Sequence, residues 1–133
     1  MPRELSRSNA HQRDLVLFNE PFDKQKYLGG VRRFDSVTYA DCQELYRLNV
    51  LGPDEQQNCA PPVKDIVEFL RLHPNFRAHG YAVSPEREDY RVSFEGVKCG
   101  PGYSMQDVWD FFDLFQYPDE LIIEPDGIYC WFD

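Results

Sequence analysis

The spacing of hydrophobic positions first predicts two helices. Thr38 is followed by Asp41 three residues later, which is typical of a capping box, and apolar residues continue from there at helical spacing. The two prolines at 61–62 open a second helix, and His73, which precedes a proline, closes it. The expected buried stripe of this second helix comprises Val63, Ile66, Val67 and Leu70, with Phe69 beside it.

The pattern then changes to period two, which is typical of half-buried strands. Strands are predicted over residues 77–83 and 90–97, joined as an antiparallel hairpin by the charged loop "SPERED". One face of the second strand should be dry and the other wet. The dry face comprises Tyr90, Val92 and Phe94, and the wet face comprises Arg91, Ser93 and Glu95.

A third helix and a second hairpin complete the chain. Ser104, with Asp107 three residues later, predicts another capping box, and the helix should end near Tyr117. A turn in the sequence "PDG" separates two short strands over residues 121–124 and 128–132. The expected buried stripe of the helix comprises Met105, Val108, Trp109, Phe112 and Phe115.

The register of this last hairpin has two alternatives, because a slip of one residue exchanges the faces of a strand. The Asp-Gly dipeptide favours a two-residue turn, which would pair Ile123 with Cys130. The dry face would then carry Leu121, Ile123, Ile128, Cys130 and Phe132, and the open face Ile122, Glu124, Tyr129 and Trp131. Pro125 lacks a main-chain donor and favours a three-residue loop. That loop would group Leu121, Ile123, Tyr129 and Trp131. We take the first alternative.

The resulting order, ααββαββ, predicts an α+β fold. Its four-stranded antiparallel sheet would consist of two hairpins, with three helices on one face. Residues 1–13 are expected to form a loose N-terminal arm, and residues 14–133 a single domain. The short apolar run "DLVLF" at residues 14–18 is compatible with a strand or a tethered segment.

Charge and composition restrict the classes of function. The formal net charge is −9, and it is divided into +3 over residues 1–33 and −12 over residues 34–133. This balance argues against nucleic acids and anionic membranes as partners. No long apolar run or apolar leader is present, and the four cysteines lack C-x-x-C spacing. We therefore expect a cytoplasmic protein with reduced thiols, no metal and no cofactor.

Catalytic chemistry has one candidate region. His79 is the histidine best placed for acid–base work, with Tyr81, Asp89 and Tyr90 on the same predicted hairpin. These four residues define an alternative pocket for a small enzyme or a ligand-binding domain. His73, at the end of a helix, fits a structural role. Because no nucleophile or dinucleotide motif occurs, a protein without catalytic activity is the favoured prediction.

The C-terminal segment suggests a different function. From Cys99 to Asp133 the chain has eight carboxylates, nine aromatic residues and no lysine, arginine or histidine. Carboxylates steer a basic protein partner, and aromatic side chains hold it. The predicted contact residues are Asp110, Asp113, Glu120, Glu124, Tyr129 and Trp131, whereas Trp109 is expected in the core. The final strand, if it lies at an edge of the sheet, would also permit a homodimer.

Two segments carry a family resemblance. The stretches "AHGYAVSPEREDYRVSFEG" and "YCWFD" resemble parts of small acidic bacterial proteins of unassigned function. Such proteins sometimes accompany toxin systems. The resemblance implies a standalone bacterial domain and an immunity-type inhibitor, and it assigns no role to any individual residue.

Overall fold

A computed structural model describes residues 4–133, which form one antiparallel sheet with helices packed against it. The helices are α1 (Ala10–Phe18), α2 (Tyr39–Arg47), α3 (Val63–Leu72) and α4 (Met105–Leu114). The strands are β1 (Val31–Val37), β2 (Phe76–Val83), β3 (Val92–Cys99), β4 (Glu120–Glu124) and β5 (Gly127–Trp131). The strand order across the sheet is β1-β2-β3-β5-β4.

The α+β class and the antiparallel sheet are confirmed, but one helix and one strand were missed. Strand β1 escaped detection because its buried residues, Phe34 and Val37, are three positions apart instead of two. A β-bulge between them accounts for the spacing, since three steps along β1 match two steps along β2.

Helix α1 escaped detection because its buried face is polar. Arg13 and Asp14 are both fully buried, and the Arg13 Nε donates to the Asp14 carboxylate at 2.9 Å. The guanidinium also donates to the Val83 carbonyl oxygen and to the Tyr27 hydroxyl, each at 2.8 Å. The Tyr27 hydroxyl in turn donates to Asp14 at 2.5 Å. A hydrophobic pattern cannot reveal a helix that docks through buried polar side chains.

The prediction of a loose arm over residues 1–13 is wrong for its described part. Residues 10–13 belong to α1, and the segment before it is tied to the domain. The Ser6 N–H donates to the Asn49 carbonyl oxygen at 2.7 Å, and the Arg7 guanidinium donates to the Pro85 carbonyl oxygen at 2.6 Å. Residues 1–3 lie outside the described part of the chain.

The central hairpin is present, with β3 beginning two residues later than predicted. A bulge at Glu95 interrupts its period, because His79 pairs with Gly96 while Gly80 pairs with Phe94. The expected wet face of this strand is not wet, since Ser93 and Glu95 are both buried. On the open face, Arg91 donates to the Ser93 hydroxyl, and Arg33 and Trp131 donate to the Glu95 carboxylate.

Helices α2, α3 and α4 pack on the other face and enclose the apolar core. The predicted capping box of Thr38 and Asp41 is confirmed, and so is that of Ser104 and Asp107. The predicted apolar stripe of α3 is buried throughout.

Cys42 and Cys130 also lie in the core, and burial raises the pKa of each thiol to about 12. All four cysteines are free. In residues 4–133, no helix combines the length and the apolar character needed to span a bilayer.

Helix α4 is rotated relative to the prediction. Phe111 and Phe115 are buried, whereas Met105, Trp109 and Phe112 are 65, 63 and 46 % exposed. The expectation that Trp109 lies in the core is therefore wrong. The helix carries apolar residues around more than one side, so spacing alone did not define which side faces the sheet.

The last hairpin has the predicted faces but a different turn. Pro125 and Asp126 form a two-residue turn, and Ile123 pairs with Ile128 instead of Cys130. The first position of such a turn is one that proline favours, because its fixed φ fits and no main-chain donor is required there. The pairing shifts by two residues, so every side chain keeps its predicted face.

Candidate functional site

The six predicted contact residues lie on two different layers. Asp110 and Asp113 belong to α4, on the helical face. Glu120 pairs with Trp131 and Ile122 with Tyr129, so these side chains share the open face of the sheet with Glu124. The sheet separates the two groups, and the structure does not bring all six into one surface.

Asp110 has a structural contact that the sequence did not indicate. The His73 ring lies between two carboxylates of α4, with Nδ1 2.6 Å from Asp107 and Nε2 2.9 Å from Asp110. His73 is also the C-cap residue of α3 and stacks on Phe69, with 4.5 Å between the ring centroids. Asp110 thus helps to join α3 to α4.

Trp131 and Tyr129 also make internal contacts. The Trp131 indole N–H donates to Glu95 at 3.1 Å, and Glu95 is buried and paired with Arg33. The Tyr129 ring stacks on His79, with 5.0 Å between the centroids. Both aromatic side chains are half-buried, and they complete the packing of the open face.

The alternative pocket is not assembled as predicted. His79 and Tyr81 both lie on the open face of β2. Tyr90 points to the other side, where it lies under the Arg13 guanidinium at 4.9 Å and donates its hydroxyl to the Ser6 carbonyl oxygen at 2.8 Å. Asp89 is exposed and pairs with neighbouring arginines, so the four residues do not converge.

A shallow cleft of about 490 Å³ does adjoin His79. The His79 Nε2 donates to the Cys130 carbonyl oxygen at 2.7 Å, and burial lowers the pKa of the ring below its usual 6.5. The basic groups that line the cleft already have partners, since Arg33 pairs with Glu95 and Lys98 lies 3.6 Å from Asp35. Within the described residues, no cluster of His, Cys, Asp or Glu side chains is suited to a metal ion. The basic side chains of the cleft are therefore already paired with carboxylates, as is typical of the packed face of a sheet.

The lowered pKa of His79 predicts a pH dependence of stability. Below pH 6.5 the unfolded chain takes up a proton at this histidine that the folded protein does not, so acidification should lower the free energy of unfolding. The loss should level off once the pH passes below the folded-state pKa. Lys98 and Arg33 oppose the charged form, and Glu95 favours it.

Urea titrations of the wild type and His79→Gln at about pH 7.5 and about pH 5.5 measure this effect. The stability advantage of the wild type over the variant should shrink at the lower pH. His11→Gln, at an exposed position, serves as the control and should leave the pH dependence unchanged. A wild-type advantage that is the same at both pH values would show that the burial of His79 is not linked to protonation.

An exposed apolar surface is the feature that sequence reasoning missed. It consists of one side of α4 and the edge strand β4, and we call it the α4–β4 surface. Leu121 and Ile123 are on the helical face with α4, and Ile122 is on the open face, so the surface wraps around the edge of the sheet. Its residues are Met105, Trp109 and Phe112 on α4, and Leu121, Ile122 and Ile123 on β4. The β4 residues are 40–42 % exposed. The Tyr103 hydroxyl, just before α4, donates to the Glu124 carbonyl oxygen at 2.7 Å and ties the two elements together.

Carboxylates lie beside this apolar surface on both faces of the sheet. Asp113 lies one helical turn after Trp109, and Glu120 and Glu124 stand at the two ends of β4; all three are exposed. No basic residue occurs in the segment that forms the surface, residues 99–133. The sequence did contain an indication: the helix shows a second apolar stripe, 105–109–112, next to the stripe that is buried.

Comparisons with known proteins do not extend this description. No protein-family model matches the chain, and neither does any curated protein or solved structure. The resemblance to small acidic bacterial proteins stays a prediction.

Proposed function

We propose that this protein is a non-catalytic protein-binding module whose contact region is the α4–β4 surface. The observation that carries the proposal is the exposure of six large apolar side chains on one helix and one edge strand, beside carboxylates that have no basic neighbour in sequence. Large apolar patches with a polar rim are typical of interaction sites. The charge of the rim favours a basic partner.

The two components of the surface have separate physical roles. The exposed carboxylates attract a basic partner over a distance set by salt screening, so they act mainly on the association rate. Trp109 offers a large, exposed ring on a rigid helix, which is the kind of anchor that lowers the dissociation rate. An immunity-type inhibitor of a basic toxin or nuclease is the most specific form of this proposal.

The alternative, a small enzyme or ligand-binding domain at His79, has less support. Its cleft holds paired charges, and its histidine already donates to a main-chain carbonyl. A substrate would have to displace contacts that stabilise the sheet. The α4–β4 surface, in contrast, leaves its apolar side chains uncovered.

Binding kinetics test the proposal. Affinity purification with the tagged protein and mass spectrometry would supply the partner. Trp109→Ser should then weaken binding by about 30-fold or more, chiefly through faster dissociation. Neutralising Asp113, Glu120 and Glu124 to the corresponding amides should slow association at low salt, and the effect should diminish as salt is added. Asp110 and Trp131 are left intact because their internal contacts would confound binding with stability.

Matched variants on other parts of the surface provide the controls. Leu28→Ser changes an apolar residue that is 80 % exposed next to β1, at the far edge of the sheet. Neutralising Asp54, Glu86 and Glu88, which are all exposed, changes the net charge by the same amount. Both controls should bind as the wild type does. If they weaken binding as much as the α4–β4 variants do, the proposed surface is wrong.

A further inference from the structure

Strand β4 is the last strand at one edge of the sheet, and the main-chain groups on its outer side have no partner strand within residues 4–133. The two-residue turn makes Glu124 and Gly127 a hydrogen-bonded pair, so bonded pairs alternate from there along the ladder. Ile122 therefore directs its N–H and C=O toward β5. Leu121 and Ile123 direct theirs outward, and no further main-chain hydrogen bond to these groups occurs in the part of the chain that the structure describes.

The side chains along this edge define what a sixth strand would meet. Glu120, Ile122 and Glu124 line the open face, and Leu121 and Ile123 line the helical face. Residues directly opposite one another on neighbouring strands lie about 5 Å apart, so opposite charges there attract and like charges repel. A suitable strand needs a cation at each end and apolar residues between them.

A second copy of the chain does not meet this requirement. Antiparallel pairing of two β4 strands about Ile122 sets Glu120 of each copy opposite Glu124 of the other. Such pairing concentrates four carboxylates at one junction. Moving the two-fold axis by one residue in either direction sets a glutamate opposite Ile122 instead. Neither of these shifted registers supplies the glutamates with a cation.

We infer that β4 takes up an extended segment of a basic partner by strand addition. The segment would run antiparallel to β4 with the pattern Lys/Arg, three apolar residues, Lys/Arg. Its cations would face Glu124 and Glu120, and its second and fourth residues would extend the helical face beside α4. Main-chain hydrogen bonds to Leu121 and Ile123 supply affinity, and the charges supply register and specificity. This inference rests on the protein-binding function proposed above and specifies how the partner is held.

Synthetic peptides test the inference without a known partner. The probe is acetyl-Ser-Lys-Val-Ile-Val-Lys-Ser-amide, and the control has glutamate in place of both lysines. Titrations followed by ¹⁵N–¹H NMR should show the lysine peptide binding about ten-fold or more tighter than the glutamate peptide. The amide protons of Leu121 and Ile123 should exchange more slowly when the lysine peptide is bound.

Three variants separate strand addition from plain charge attraction. Ile123→Pro removes an outward N–H that no ladder bond uses, a position where an edge strand tolerates proline, and it should abolish binding of the lysine peptide. Ile123→Val keeps the N–H and should bind normally. The double reversal Glu120→Lys and Glu124→Lys should transfer the preference to the glutamate peptide. Thermal melts establish that each variant is folded.

Three results would overturn the inference. The first is equal binding of the lysine peptide to Ile123→Pro and Ile123→Val, which would indicate attraction without strand pairing. The second is a concentration-dependent dimer of the wild type in sedimentation that Ile123→Pro abolishes, which would assign the edge to a second copy. The third is binding of the natural partner that depends on Trp109 but not on Ile123→Pro. That result would leave the protein-binding function standing and remove strand addition alone.

Discussion

Replacing Arg13 with methionine should lower the free energy of unfolding by about 3–5 kcal/mol. Arg13 and Asp14 are completely buried, and the guanidinium makes three hydrogen bonds, of which those to Val83 and Tyr27 connect α1 to the rest of the domain. Methionine fills much of the volume but leaves Asp14 without a cation and the Val83 carbonyl oxygen without a donor. Urea denaturation, followed by far-UV circular dichroism, measures the loss.

A double substitution provides the matched control. Arg13→Met combined with Asp14→Leu removes both charges, and such replacements by apolar residues cost less than breaking a buried pair. The double variant should therefore be more stable than Arg13→Met alone. A single variant that loses less than about 1 kcal/mol would show that Arg13 does not hold α1 in place.

Phe111→Ala should cost about 3–5 kcal/mol of stability, whereas Trp109→Ala should cost less than about 1 kcal/mol. The two residues belong to the same helix, two positions apart, yet Phe111 is fully buried and Trp109 is 63 % exposed. The Phe111 ring lies between Phe76 and Phe115, with centroid distances of 6.2 and 5.2 Å, so its removal leaves a cavity in the core. Removal of the indole ring exposes little new apolar surface.

The same denaturation experiment measures both variants, and Phe112→Ala provides an intermediate case because its ring is 46 % exposed. The expected order of stability loss is Phe111, then Phe112, then Trp109. Equal losses for Phe111 and Trp109 would mean that α4 packs in the orientation predicted from the sequence, and the α4–β4 surface would lose its anchor.

Elements specified by neighbouring residues were predictable from the sequence. The capping boxes at Thr38 and Ser104 satisfy main-chain donors within one helical turn, so the local sequence is enough to identify them. The apolar stripe of α3 has one clear side, and choosing a two-residue turn over a three-residue loop was enough to assign the faces of β4 and β5. Such features do not depend on distant parts of the chain.

Features that depend on distant residues were not predictable. Helix α1 docks through Arg13, whose partners include Tyr27 and Val83, 14 and 70 residues away. The bulge in β1 alters its period only because the strand pairs with β2. The rotation of α4 brings Asp107 and Asp110 to His73, on a different helix. The same rotation turns Trp109 outward, so the central residue of the candidate site was assigned to the core.

The attachment of the β4–β5 hairpin to the sheet has a consequence for local unfolding. The ladder between β3 and β5 contains two residue pairs, Lys98 with Tyr129 and Cys99 with Ile128, and the Phe132 N–H adds one bond to the Glu95 carbonyl oxygen. Within the hairpin, five pairs join β4 to β5. Opening along the β3–β5 seam therefore breaks few main-chain bonds and leaves the hairpin intact. Buried side chains such as Ile128 and Phe132 supply most of the resistance to that opening. We therefore expect the hairpin to separate from β3 as one unit, with the ladder between β4 and β5 still closed.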